Sequence, residues 1–148
     1  MEQSAKEAIL DFIASFLIFI SLLHIIYMFI YSDTRHILWL CNNTTFFAGI
    51  AILFRNRFWI TAEYSLLFPG MFQWVFEFFN KNVFGTYLIT NYDYLASFDY
   101  YKNWPGLILH ITTIILVPIA IFILKKPHKK AWIGSLIHGI ILMPLVII

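Results

Sequence analysis

The chain has 148 residues, 61% hydrophobic, 20% aromatic and only 12% charged, with a mean hydropathy of +0.78. A soluble domain carries about 25% charge, and a chain this short has too few polar side chains here to cover its surface in water, so the composition points to lipid as the main solvent. The net charge of +2 is scattered in small groups with no basic stripe, which excludes a typical nucleic-acid binder.

Five apolar segments follow in chain order, at residues 8–31, 36–54, 58–79, 106–124 and 131–148. Each is close to the roughly 20 residues that a spanning helix needs. The first is preceded by Lys6 and lacks a small-x-small cleavage pattern, so it reads as a retained helix and not as a signal peptide. Pro69 and Pro118 fall inside the third and fourth segments and predict kinks without breaks, because neighbouring groups in a bundle can satisfy the freed carbonyls. The expected fold is therefore an all-α membrane protein, a single domain built as a bundle of about five transmembrane helices. The connection at 80–105 holds Tyr87, Tyr92, Tyr94, Tyr100, Tyr101 and Trp104, which suit an outer interfacial loop, while Asp93 and Asp99 oppose a further span.

Orientation follows from the positive charges. Lys6, Arg55, Arg57, Lys125, Lys126, Lys129 and Lys130 fall on the side of the N-terminus, against Arg35, Lys81 and Lys102 on the other. This asymmetry predicts a multi-pass protein with a cytoplasmic N-terminus.

Polar groups inside a membrane cost free energy, so their depth is informative. Cys41, the only cysteine, lies about 7 Å below the start of the second segment and His110 about 6 Å below the start of the fourth, at ~1.5 Å per residue. Both segments start at the outer face, so thiol and imidazole share one level. Asn42, Asn43, Thr44 and Thr45 join them there, with Gln73 and Glu77 from the third segment, His24 from the first and Thr113 below His110. Gln73 with Glu77, and His110 with Thr113, each share a helix face.

A thiol beside an imidazole is a nucleophile with its base. Asn42 or Asn43 would donate to a tetrahedral oxyanion, and Glu77 or Gln73 would set the imidazole tautomer. The alternative for the same residues is structural, with a small apolar filler and a histidine bonded to a helix neighbour. Glu63 with Arg55 and Arg57 reads as an interfacial ion cluster on lipid phosphate, and the group from Lys125 to Lys130 as a contact for anionic lipid. His24, His110 and Glu77 lack H-x-x-x-H or H-E-x-x-H spacing, so neither a metal nor another cofactor is expected.

The run Leu38-Trp39-Leu40-Cys41-Asn42-Asn43, then Arg55-Asn56-Arg57-Phe58 and Leu67-Phe68-Pro69-Gly70, resembles the YwaF-like bacterial integral membrane proteins. These are relatives of transmembrane protein 164, a cysteine-dependent phospholipid acyltransferase. The run from Trp104 through His110 and Thr113 to Pro118 is similar to the helix that carries the catalytic histidine in that group. It also resembles the corresponding helix of the androgen-induced gene product and the TFPI-regulating protein, which are intramembrane threonine hydrolases of fatty-acid esters. The resemblance covers about residues 38–118 and implies that Cys41 is the nucleophile and His110 its base. Cysteine at that position favours the acyltransferase side. The chain is shorter than those families, which implies a reduced member or a site completed by a second copy in a homo-oligomer.

The expected function is thus an intramembrane acyl-transfer enzyme acting on membrane lipids through Cys41 and His110. The alternatives are a hydrolase of fatty-acid esters using Thr44 or Thr45, and a non-enzymatic membrane subunit or scaffold whose polar cluster locks helices together.

Overall fold

The computed structural model describes residues 3–31, 40–86, 104–125 and 127–146. These form five helices and no strand: α1 (Gln3–Tyr31), α2 (Leu40–Leu53), α3 (Arg57–Phe84), α4 (Trp104–Ile123) and α5 (Ala131–Val146). The five apolar segments thus appear as five helices, with α1 and α3 longer than the hydropathy pattern alone indicates. Two of them, α1 and α4, are long and apolar enough to cross a membrane, and α2 and α5 contain shorter apolar stretches. Pro69 and Pro118 sit inside unbroken helices. Most of the tyrosine-rich connection expected as an interfacial loop falls within 87–103 and lies outside the described residues.

Helices α1 and α2 form an antiparallel hairpin. Asp11 pairs with Arg55 at one end and His24 with Asn42 toward the other, which is one constant register. Gly49 permits the close approach between them, since a Cβ there would lie 2.8 Å from Ile18 Cγ1 and 3.1 Å from the Ala14 carbonyl oxygen.

The α2 to α3 turn is tight, and its chemistry is local. Arg55 takes a left-handed conformation with φ 55°, where glycine is usual, and the amides of Arg55 and Asn56 bond back to the Ile52 and Ala51 carbonyls. The Arg55 guanidinium donates to Ile52 O at 2.8 Å and to Asp11 at 2.6 Å, which offsets part of the conformational cost. Asn56 then caps α3 by accepting from the Trp59 amide.

Helix α4 runs antiparallel to α1. Val117 and Ala120 pack with Leu10 and Leu17 in one apolar cluster, and Leu109 packs with Ile20 in another. Helix α5 runs parallel to α3, with Phe58 and Ala62 against Gly134 and Leu66 near Gly139. Gly134 is required by that approach, because a Cβ would come within 2.9 Å of both Ala62 and the Phe58 ring. Many large apolar side chains face outward on all sides, among them Phe12 at 67%, Phe122 at 84% and Trp132 at 64% exposure.

Candidate functional site

Two buried polar centres lie at different heights in the bundle. They are marked by Glu77 and Glu63, 14 residues apart on α3 and so about 21 Å apart along its axis.

The first is assembled from four helices. On α4, His110 is buried and its Nδ1–H donates to the Gly106 carbonyl at 2.6 Å. That fixes the neutral tautomer with the lone pair on Nε2, which makes no hydrogen bond among the described residues. A helical side chain leans back over the preceding turn, so the carbonyl four residues earlier is the partner nearest to hand. The tautomer is therefore set by Gly106, and not by Glu77 or Gln73 as the sequence suggested. The Trp74 indole of α3 stacks on the imidazole at 4.3 Å between centroids and 17° between planes, holding the ring in place. Trp74 was missed by the sequence reading, although it stands three residues before Glu77 on the same face.

On α2, Thr45 and Thr113 of α4 are both buried and their hydroxyls meet at 3.2 Å. Thr113 Oγ1 donates to the Leu109 carbonyl at 2.6 Å, so the hydrogen between the two threonines comes from Thr45. Both α2 and α4 are antiparallel to α1 and hence parallel to each other. Cys41 is four residues before Thr45, and His110 is three residues before Thr113. Thiol and imidazole therefore stand one turn from the threonine contact, toward the same end and on the facing sides of their helices. Cys41 is half-buried and packs against the cluster of Ile20, Leu67, Met71 and Leu109. The thiol and Nε2 are not hydrogen-bonded to each other.

Asn42 is fully buried, and its Oδ1 accepts from His24 Nδ1–H at 2.5 Å. A side-chain carbonyl has no proton to give, so this bond fixes the His24 tautomer too. Thr44 and Glu77 are also fully buried, whereas Gln73 is half-buried and not joined to His110. Asn43 departs from expectation: it lines a cavity at the second centre, because consecutive helical residues point about 100° apart. The α1 to α2 register sets Ser21 level with Thr45. Ser21 Oγ is buried and has no hydrogen-bond partner among the described residues, a place that a water or a polar ligand atom would fill.

The second centre is a carboxylate and imidazole pair that the sequence reading did not foresee. His138 Nδ1 on α5 lies 2.8 and 2.7 Å from the two carboxylate oxygens of Glu63 on α3. Glu63 is thus not part of an ion cluster with Arg55 and Arg57, since it points inward to α5 while Arg55 turns to Asp11 on α1. The geometric reason is that Glu63 lies on the buried side of α3, only 3% exposed. The available signal was His138 itself, an ionisable group in the middle of an apolar segment, which demands a buried partner.

Among the described residues, no group of three or more His, Cys, Asp and Glu side chains is arranged to hold a metal ion. No protein-family model matches the chain, and comparison with curated proteins and with solved structures returns no match.

Proposed function

We propose that this chain is a multi-pass membrane protein with a cytoplasmic N-terminus, and that it catalyses acyl transfer on membrane lipid esters with Cys41 as nucleophile and His110 as base. The membrane reading is supported by the outward-facing apolar residues on every helix, which in water would form a patch far larger than soluble monomers expose. The orientation rests on the asymmetry of Lys and Arg.

The observation that carries the catalytic reading is the Thr45 to Thr113 hydrogen bond between two parallel helices, with Cys41 and His110 one turn away on their facing sides. The neutral tautomer of His110 leaves Nε2 with a lone pair, as a general base requires. Hydrogen bonds of this kind commonly close only when substrate is bound.

In the reaction, Nε2 takes the thiol proton as Sγ attacks the ester carbonyl carbon. The tetrahedral adduct collapses by breaking the bond to the alkoxide oxygen, which takes the proton from the imidazolium and leaves as a lysolipid. A thioester remains on Cys41. An acceptor hydroxyl, of a lysolipid or water, then loses its proton to Nε2 as its oxygen attacks the thioester, and the thiolate is expelled and reprotonated. Ser21, with a hydroxyl to donate at this level, joins Asn42 as a candidate for steadying the oxyanion.

The Thr45 hydrogen is committed to Thr113, which favours Cys41 over Thr45 as nucleophile. The test is the intact mass of the purified protein after incubation with phospholipid, for the wild type, Cys41→Ala and His110→Ala. A hydroxylamine-labile acyl adduct in the wild type, absent from Cys41→Ala, is the expected result. Turnover that persists in Cys41→Ala would replace this reading with a threonine hydrolase. No adduct and no turnover in any form would replace it with a scaffold.

A further inference from the structure

The Glu63 and His138 pair borders a cavity of about 620 Å³ between α2, α3 and α5. That volume lies within the range of about 300 to 1,000 Å³ typical of small-molecule sites. Apart from the pair, Asn43 and Asn56, its walls are apolar, including Phe47, Ile50, Phe54, Ile137 and Ile141, and Phe54 and Ile141 are themselves exposed, so the cavity opens on the outside of the bundle. An elongated apolar guest suits such a wall.

The polar feature is more specific. Nδ1 of His138 is held by both oxygens of Glu63, and the Phe47 ring meets the imidazole edge to face at 5.2 Å, so the ring has no freedom to turn. His138 is only 9% exposed, and its second nitrogen, Nε2, has no hydrogen-bond partner among the described residues. A buried imidazole oriented by a carboxylate, with its other nitrogen unpaired beside an apolar cavity, is a directional polar anchor at the wall of a hydrophobic slot.

Charge then selects the head of the guest. Glu63 already puts one carboxylate in this buried place, and a second anion would have to be desolvated next to it, which argues against a fatty-acid carboxylate. A hydroxyl both donates and accepts, so it satisfies Nε2 whether the imidazole is neutral or protonated. We infer that this cavity is a binding site for a single-chain lipid with a hydroxyl head, a long-chain alcohol or a monoacylglycerol, whose hydroxyl pairs with His138 Nε2 while its chain lies along α2 and α5. This site is independent of the Cys41 chemistry and goes beyond it.

The experiment is photolabelling of the full-length protein in lipid nanodiscs with a long-chain alcohol bearing a mid-chain diazirine, the labelled positions being mapped by peptide mass spectrometry. Labelling is expected to be saturable and centred on Ile50, Phe54, Ile137 and Ile141. Unlabelled alcohol or monoacylglycerol should compete about fivefold better than the matching 1-chloroalkane, the ratio that one net hydrogen bond provides. Which of the two hydroxyl lipids competes better identifies the source.

His138→Phe should abolish the preference over the chloroalkane. Ile50→Trp, which fills the slot and leaves the pair intact, should abolish saturable labelling. Thermal melting of each variant establishes that it is folded. Equal competition by alcohol and chloroalkane, stronger competition by the fatty acid, or labelling of the cavity residues no denser and no more saturable than that of comparably exposed residues elsewhere, such as Phe12 and Phe122, would overturn the inference. So would Ile50→Trp labelling like the wild type.

Discussion

The two buried polar centres of this bundle are built on opposite plans. The Cys41 and His110 centre takes side chains from four helices and satisfies much of its polarity by short bonds within a helix or between neighbouring helices, such as His110 to Gly106 and His24 to Asn42. The Glu63 and His138 centre consists of one pair from two helices, with a nitrogen that has no partner among the described residues and a largely apolar cavity beside it. The first distributes the cost of burying polar groups over many partners. The second concentrates it in a single interaction.

This contrast predicts unequal responses to mutation. The largest effect should be on chemistry at the first centre, where His110→Ala is expected to slow acyl-adduct formation by about 100- to 10,000-fold, the usual contribution of a general base, in a time course of intact mass. A slowing of less than about tenfold, far below that usual contribution, would remove His110 from the role of base.

At the second centre the expected effect is on stability. His138→Leu leaves the Glu63 carboxylate buried and unpaired, and should cost about 3 to 5 kcal/mol in reversible unfolding in mixed micelles, whereas Glu63→Leu combined with His138→Leu should recover most of that loss. Equal destabilisation by the single and the double variant would show that packing and not charge pairing holds this place.

Next in size is the close approach of helices. Gly134→Val inserts a branched side chain where even a Cβ meets Phe58 and Ala62, and should cost about 1 to 3 kcal/mol through overpacking between α3 and α5. Because α5 carries His138, the same variant should also weaken labelling of the cavity while leaving adduct formation on Cys41 intact. Loss of both together would mean that the two centres are not separable.

The smallest effect belongs to the exposed end of the hairpin. Asp11→Asn should change stability by less than about 1 kcal/mol, since Asp11 is exposed and its partner Arg55 is half-buried, so water screens the pair from one side. Arg55→Gly should be nearly neutral, because the relief of a left-handed non-glycine residue offsets the lost ion pair. A clear gain in melting temperature for Arg55→Gly would mean that the conformational strain outweighs the pair.

The reach of the sequence can be judged on particular residues. Five helices were legible because apolar runs of near-spanning length alternate with polar or proline-marked breaks, as at Arg55-Asn56-Arg57. The common level of Cys41, His110 and Asn42, one turn from Thr113, was legible because rise per residue is fixed along any helix. Rotation was not. Asn42 and Asn43 looked equivalent as neighbours in the chain, yet one meets His24 and the other lines the cavity beside His138.

By itself, then, the sequence determined the helical class and the five helices found among the described residues, since these depend on local hydropathy, while a constant helical rise set the spacing of polar residues along each helix. Only the tertiary structure decided which polar residues meet. The Glu63 carboxylate finds His138 75 positions away instead of the arginines six and eight positions before it. That choice depends on helix rotation and neighbour order, which are set by contacts as specific as Gly49 on Ile18 and Gly134 on Phe58, and these are written in no single segment of the chain.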